Sequence, residues 1–340
     1  MKEIIVSKNE AGQRLDRILG KLLPQAPKGF VHKMLRKKNI TLNEKKAAGE
    51  ERPGEGDRIQ LWLSFETLER FGAPSSSERI PTNPIDLGIV IVYEDPHTLI
   101  INKPSGVLSQ KASAGDVSVN DWLLSYLSSL TAKGSFQGEI FKPSICNRLD
   151  RNTSGLLICG KTLPGLRMNG ALIRERGIKK EYLAIAAGVM ERKLETAAWL
   201  KKDEQKNRVR VEHKAFPGGE EIRTNYFPLF SDGKNTVVQV ELITGKSHQI
   251  RAHLSFLGFP IVGDGKYGNA KINRWAREAF QVKSQLLHCF RLTYPGDFPL
   301  EEGDQESFSL VQGQQFVCLP DKKFQRVVKT DYGNLAYQRA

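Results

Sequence analysis

The run Asn147-Arg148-Leu149-Asp150-Arg151-Asn152-Thr153-Ser154-Gly155-Leu156-Leu157-Ile158-Cys159-Gly160-Lys161 constrains this chain more than any other segment. Its second half is a Thr-Ser-Gly turn feeding an apolar run, 156–159, which reads as a buried strand. Its first half sets one aspartate between two arginines. Cations beside a carboxylate favour its ionised form, and the same cations attract a polyanion. A charged carboxylate offered to a phosphate-bearing substrate suits a nucleophile or a base. The same cluster also suits a structural ion-pair network, and these residues alone leave both readings open.

A chain of 340 residues has room for a small and a large domain. At 39% hydrophobic it can bury a core, which argues against wholesale disorder. Its 51 Lys plus Arg outnumber 38 acids, for a formal charge of +13. That surplus favours a nucleic-acid partner, because neutralising phosphates uses cations. No apolar run is long enough to predict a membrane span, and the first residues lack the apolar stretch of a secretory signal. Cys146, Cys159, Cys289 and Cys318 form no Cys-x-x-Cys pair, and no cluster of zinc ligands is visible. A cytoplasmic protein with reduced thiols and no metal is expected, with Cys146 a small buried residue and not a nucleophile.

Residues 1–64 read as a separate module. Leu15, Ile18, Leu19, Leu22 and Leu23 have helical spacing over 13–23. A second helix is expected over 28–38, with Phe30, Val31, Met34 and Leu35 inward and Lys28, Lys33, Arg36, Lys37 and Lys38 outward. Short strands at 40–42 and 58–63 follow, separated by a Lys45-Lys46 turn. Such a basic helix beside a small sheet is either a solvated face or a phosphate footprint. The order Arg14-Leu15-Asp16, Leu35-Arg36-Lys37-Lys38-Asn39-Ile40-Thr41-Leu42-Asn43, Gly56-Asp57-Arg58-Ile59 resembles an S4 domain. The resemblance implies RNA binding through the second helix and adjoining loop, by Arg14, Lys28, Lys33, Arg36, Lys37, Lys38 and Asn43.

Residues 65–86, with Pro74, three consecutive serines, Pro81 and Pro84, read as a linker. From 87 to 325 short strands dominate: 89–93 and 98–102 as a hairpin, then 156–159, 181–187, 207–212, 222–229 and 236–242. Helical patterns are inserted at 118–127, 164–175, 248–257 and 271–281. This mixture predicts an α+β domain on a largely antiparallel sheet. A polar, peripheral tail is expected over 326–340, and residues from Leu319 onward look peripheral.

Two further clusters bear on chemistry. Tyr182 follows Lys180 at the start of a strand, where a packed aromatic is the plain expectation. Thr244-Gly245-Lys246-Ser247-His248-Gln249-Ile250-Arg251-Ala252-His253-Leu254 leads from a glycine turn into a helix start, which offers free N–H groups to anions.

The first run resembles the active-site motif of the RluA-type pseudouridine synthases, matched throughout except that Asn147 stands for His. Lys180-x-Tyr182 resembles that family's tyrosine motif. The run from Thr244 resembles its Gly-Arg-Thr-His-Gln-Ile-Arg segment, with Lys246 and Ser247 replacing Arg and Thr. Pro260-Ile261-Val262-Gly263-Asp264-Gly265-Lys266-Tyr267-Gly268 and Gln285-Leu286-Leu287-His288 follow in family order.

The resemblance implies isomerisation of RNA uridines to pseudouridine without a cofactor. Asp150 would be the catalytic carboxylate, and Arg251 its ion-pair partner. Tyr182 would pack on the flipped uracil and help remove its C5 proton, and Ile250 would cover the other face. Arg148 would fill the gap left in the RNA. The S4 segment resembles that of the synthases acting on large-subunit (23S) ribosomal RNA, which is the partner this implies; a monomer is expected. The same reaction on tRNA, a silent RNA-binding or ribosome-assembly protein, and a hydrolase releasing free uracil are the alternatives. For the hydrolase a second placed carboxylate is missing.

Overall fold

A computed structural model of the chain describes residues 2–7, 10–71, 85–130, 141–203, 205–298, 308 and 310–328. They fall into two compact units. The first takes in Met1–Ile85, Asp121–Ser144 and Lys161–Pro164; the second takes in Asp86–Asn120, Ile145–Gly160 and Gly165–Ala340.

In the first unit, β1 (Lys2–Ile5), α1 (Leu15–Leu22), α2 (Lys28–Arg36), β2 (Ile40–Leu42), β3 (Lys45–Lys46) and β4 (Arg58–Leu61) build a four-stranded sheet in the order β1-β4-β2-β3. The helical spacing acts as expected: Leu15, Ile18 and Leu19 of α1 and Val31, Met34 and Leu35 of α2 close a core with Ile40, Ile59 and Leu61. Lys45 and Lys46, expected as a turn, are strand. The turn lies one step earlier, where Asn43 (φ 50°) and Glu44 (φ 64°) both take the left-handed backbone that joins tight hairpins. The linker reading is also corrected in its first residues. α3 (Phe65–Phe71) is a helix whose Leu68 and Phe71 pack on this core, with Phe71 4.6 Å from Phe30 between ring centroids. Residues 72–84 of that expected linker lie outside the described residues.

The remaining elements are β5 (Val90–Glu94), β6 (Thr98–Lys103), α4 (Val119–Ser129), β7 (Ser144–Ile145), β8 (Ser154–Gly160), α5 (Leu163–Arg174) and β9 (Lys179–Ala187). β10 (Leu194–Asp203), β11 (Arg208–Glu212), β12 (Glu220–Ser231), β13 (Asn235–Leu242), α6 (Gln249–Phe256), α7 (Ala270–Phe280), β14 (Leu287–Thr293), β15 (Gln315–Val317) and α8 (Lys322–Val328) follow. The large sheet runs β11-β10-β12-β13-β9-β14-β8-β6-β5. It is mainly antiparallel, with β14 and β8 running parallel. β10 escaped the sequence reading because its alternation is carried by small residues such as Thr196 and Ala198.

α7 and α8 cover one face of this sheet, where Ala276, Phe324, Val327 and Val328 meet Leu183, Ile185, Val237 and Phe290. α6 covers β10–β12 through Ala252, against Ala198, Leu200, Val209 and Ile222. The expected peripheral tail is therefore corrected up to Val328. Phe324, Val327 and Val328 are core residues, because helical spacing gives α8 an apolar face. Residues 329–340 lie outside the described residues.

Candidate active site

Asp150 sits in the turn entering β8, and the backbone of that turn is held from several directions. Ser109 Oγ donates to the Leu149 carbonyl (2.7 Å). The Gly106 amide donates to the Arg151 carbonyl (2.9 Å), and Ser105 Oγ to that of Asn152 (2.9 Å). Beneath them lies Lys103, fully buried, its ammonium donating to the carbonyls of Pro104 (3.0 Å), Val107 (2.9 Å) and Arg151 (3.1 Å). Burial pulls its pKa down to about 7, with the Asp150 charge pushing back.

Gly155 fixes how the turn enters the sheet. Its φ is +113°, and a Cβ there would stand 2.2 Å from the Cys289 carbonyl oxygen, so β8 and β14 approach this closely only with glycine. Asn147 accepts a hydrogen bond from the Ile158 amide (2.9 Å), bracing the start of the motif on the strand.

The cation on Asp150 comes from α6 and not from its sequence neighbours. Arg251 NH1 lies 2.7 Å from Asp150 Oδ2. Arg148 is exposed and Arg151 donates through Nε to the Gly106 carbonyl (3.0 Å); neither pairs with Asp150 among the described residues. The expectation that the flanking arginines hold the carboxylate is thus corrected. Residues 148–153 form an irregular turn into β8 and not a regular element, so closeness in sequence does not set which side chains meet.

Arg251 is itself clamped. Its Nε and NH2 donate to Asp264 Oδ2 (2.7 Å) and Oδ1 (2.9 Å), a two-pronged pair buried with Asp264 fully enclosed. Burial alone would lower the guanidinium pKa; the hydrogen bonds and charge of Asp264, then of Asp150, raise it on balance. For Asp264, burial works against ionisation, but Arg251 and the Lys266 and Tyr267 amides hold its pKa below the usual value. Arg251 therefore stays charged.

His248, the residue before α6, adopts a left-handed conformation (φ 54°). Its Nε2 lies 4.0 Å from Asp150 Oδ2, and its Nδ1 lies 2.9 Å from the Tyr267 hydroxyl. That hydroxyl also accepts from the Val209 amide (2.9 Å). Arg251 and His248 thus converge on one oxygen of Asp150, and among the described residues nothing donates to Oδ1. The motif around them is braced by Gln249, which accepts from Thr244 Oγ1 and the Lys246 amide (both 3.0 Å).

Tyr182 lies in β9 opposite Val240 of β13, which lies opposite Tyr226 of β12. Directly opposed residues share a face, and Tyr226 bonds His253 of α6 (3.0 Å). Tyr182 therefore lies on the sheet face that carries α6, within range of the Asp150 charge. It is buried, and burial, followed by Cys289 and Asp150, raises its pKa so that the phenol is neutral. Ile250 is also buried beside Arg251.

Sequence reasoning passed over Asp264, Tyr267, Lys103 and any contact of His248 with the carboxylate. The Gly-Asp-Gly-Lys-Tyr-Gly segment stood out but suggested no role, and a lone lysine ending a strand carries no signal. Among the described residues no group of His, Cys, Asp and Glu side chains could hold a metal ion, and no helix is long and apolar enough to cross a membrane. Burial pushes the Cys146 thiol up to about 12, so it stays protonated.

In the first unit, Lys28, Lys33, Arg36, Lys37 and Lys38 are exposed. Arg36, His32, Lys46 and Glu51 line a cleft of about 610 Å³ with Gly29, Ala47 and Ala48. Two of the residues expected to contact RNA also have partners within the protein. Arg14 pairs with Asp16 (2.8 Å). Asn43 donates to Asp57 Oδ1 (2.9 Å) and accepts from the Arg58 amide (2.8 Å).

Residues 97–256 match the family model described as RNA pseudouridylate synthase. Ribosomal large subunit pseudouridine synthase C of Vibrio cholerae is 31% identical over 293 residues, covering 86% of this chain and 88% of that one. The protein of the same description from Escherichia coli K12 is 29% identical over 318 residues, covering 89% and 94%. Among solved structures, human RNA pseudouridylate synthase domain containing 4 shares the fold with a TM-score of 0.53 at 19% identity, over 71% of this chain and 94% of that one. The chain belongs to the RluA-type family of pseudouridine synthases, isomerases that convert uridine to pseudouridine in RNA.

Proposed function

We propose that this enzyme isomerises uridines of large-subunit ribosomal RNA, with Asp150 as the reacting carboxylate and Arg251 as its holder. The observation that carries the reading is the convergence on Asp150 Oδ2 from Arg251, which leaves Oδ1 facing no protein donor among the described residues. The N1–C1′ bond breaks, the uracil turns, and C5 joins C1′. Nothing is added or oxidised, so the chemistry calls for no cofactor. The target nucleotide leaves its stack to be reached, at a cost of a few kcal/mol.

Tyr182 packs on the flipped base, with Ile250 nearby on α6. Because its phenol is neutral, packing is the part of its role that the environment favours, and proton removal from C5 would go through a neutral oxygen. Arg148, exposed beside Asp150, is free to stack into the RNA. The first unit acts as an S4-like RNA-binding module through Lys28, Lys33, Arg36, Lys37 and Lys38. The ribosomal target is supported by the two relatives described as large-subunit enzymes. We take the working form to be a monomer.

Asp150→Asn tests the reading. It should keep RNA affinity within about twofold and lose pseudouridine formation, read by carbodiimide-dependent primer-extension stops on ribosomal RNA and tRNA. Wild-type turnover in that variant overturns the role of Asp150. Stops confined to tRNA overturn the substrate, and release of free uracil by the wild type overturns the reaction.

A further inference from the structure

The reading above leaves a half-buried titratable group next to the carboxylate, His248, without a task. We propose that His248 is a positioning residue for Asp150, held by Tyr267 with its Nε2–H towards Oδ2, and that it does so only in its neutral form. This rests on Asp150 being the reacting group.

We assign the tautomer from the Tyr267 contacts. The Val209 amide donates to the Tyr267 oxygen (2.9 Å), and the hydroxyl proton is assigned to His248 Nδ1 (2.9 Å). Nδ1 is then an acceptor and Nε2 carries the proton, 4.0 Å from Asp150 Oδ2. That gap is longer than a hydrogen bond, and catalytic contacts of this kind tighten when substrate fills the site.

Tyr267 is well suited to hold the ring. Its carbonyl accepts from Ser255 Oγ on α6 (2.7 Å). Its own ring lies under two guanidinium groups, Arg251 at 5.4 Å and Arg208 at 5.7 Å. Arg208 and Val209 open β11, and Lys266 Nζ donates to the Asn207 carbonyl (2.6 Å) in the turn before it. The β10–β11 hairpin is therefore tied to His248 through Tyr267.

The charged groups acting on His248 are Asp150, Arg251 and Lys266 and Asp264. Burial first, with Arg251 and Lys266, keeps its pKa below the usual value against the pull of the two carboxylates. At neutral pH the ring is neutral, and Oδ2 is held by one cation, Arg251. A protonated ring would add a second cation and draw the carboxylate from its seat on Arg251. Two cations on one carboxylate also lower its basicity and nucleophilicity.

The test measures kcat and KM for RNA against pH, from initial rates over a range of RNA concentration, for full-length wild type, His248→Gln, His248→Asn, Tyr267→Phe and Asp150→Asn. Glutamine keeps an N–H near Nε2 and cannot titrate; asparagine tolerates the left-handed backbone and guards against misfolding. His248→Asn should lose about tenfold or more in rate with KM for RNA within about twofold. His248→Gln should recover much of that loss and extend activity to lower pH than wild type. Tyr267→Phe removes the donor to Nδ1, so its acid limb should move to higher pH. Profiles of all three superimposing on wild type overturn the proposal. Equal losses in kcat and 1/KM at every pH, with a lowered Tm, overturn it in favour of a purely structural role. An active Asp150→Asn would instead overturn the underlying reading, so the two failures are distinguishable.

Discussion

Arg251 and Asp264 form a two-pronged, buried ion pair, 2.7 and 2.9 Å, that aims the third guanidinium nitrogen at Asp150. Asp264 thus sets where Asp150 is held without touching it. Asp264→Asn removes one of the two carboxylates on Arg251 and leaves Asp150 as its counter-charge, which should cost about 1–3 kcal/mol of stability. Protein that remains folded should be slowed at least about tenfold, with RNA affinity retained. Urea unfolding and single-turnover assays at saturating enzyme check both; a wild-type rate would show that Arg251 needs no anchor.

Lys103 should make stability rise with pH. Its folded pKa of about 7 lies below the free value of 10.5. Between those values the unfolded chain binds a proton that the folded chain does not. The slope is positive, up to about 1.4 kcal/mol per pH unit, and flattens below pH ~7. Urea unfolding at pH 7, 8 and 9 should show wild type gaining on Lys103→Met, and parallel curves would refute the assignment.

His288 should act in the acid range. It takes Ser154 Oγ at Nδ1 (2.8 Å) and the Cys318 carbonyl at Nε2 (2.8 Å), and burial lowers its pKa to about 4 against 6.5 when free. Its contribution is complete above pH 6.5 and is lost as pH falls to 4, because only the unfolded chain takes up the proton in that window. The loss is at most about 3 kcal/mol. His288→Gln should flatten that part of a pH–Tm curve, whatever it does to stability at pH 7.

The first unit is testable by salt. Lys33→Ala and Arg36→Ala, on the exposed face of α2, should each weaken RNA binding and reduce the slope of log affinity against log salt by about one at most. Unchanged slopes would place the phosphate contacts elsewhere.

The periodic elements were legible because burial imposes a period: the leucines of α1 and the apolar runs of β5, β6 and β8 appear where their patterns put them. β10 and α8 were not, since alanine and threonine blur an alternation and a short helix among lysines looks solvated.

The sequence by itself determined the motif, the glycine turn within it and the strand it feeds. Local backbone preferences and side-chain size act over a few residues, so they can be read from a string. Charge spacing in the sequence favoured the flanking arginines and only family resemblance implied Arg251; the tertiary structure puts Arg251, 101 residues away, on Asp150. Electrostatic pairing depends on distance and direction in space. Closeness along the chain does not set either at a turn, while a helix laid on the sheet brings a remote guanidinium, anchored on Asp264, and the His248 ring towards one oxygen.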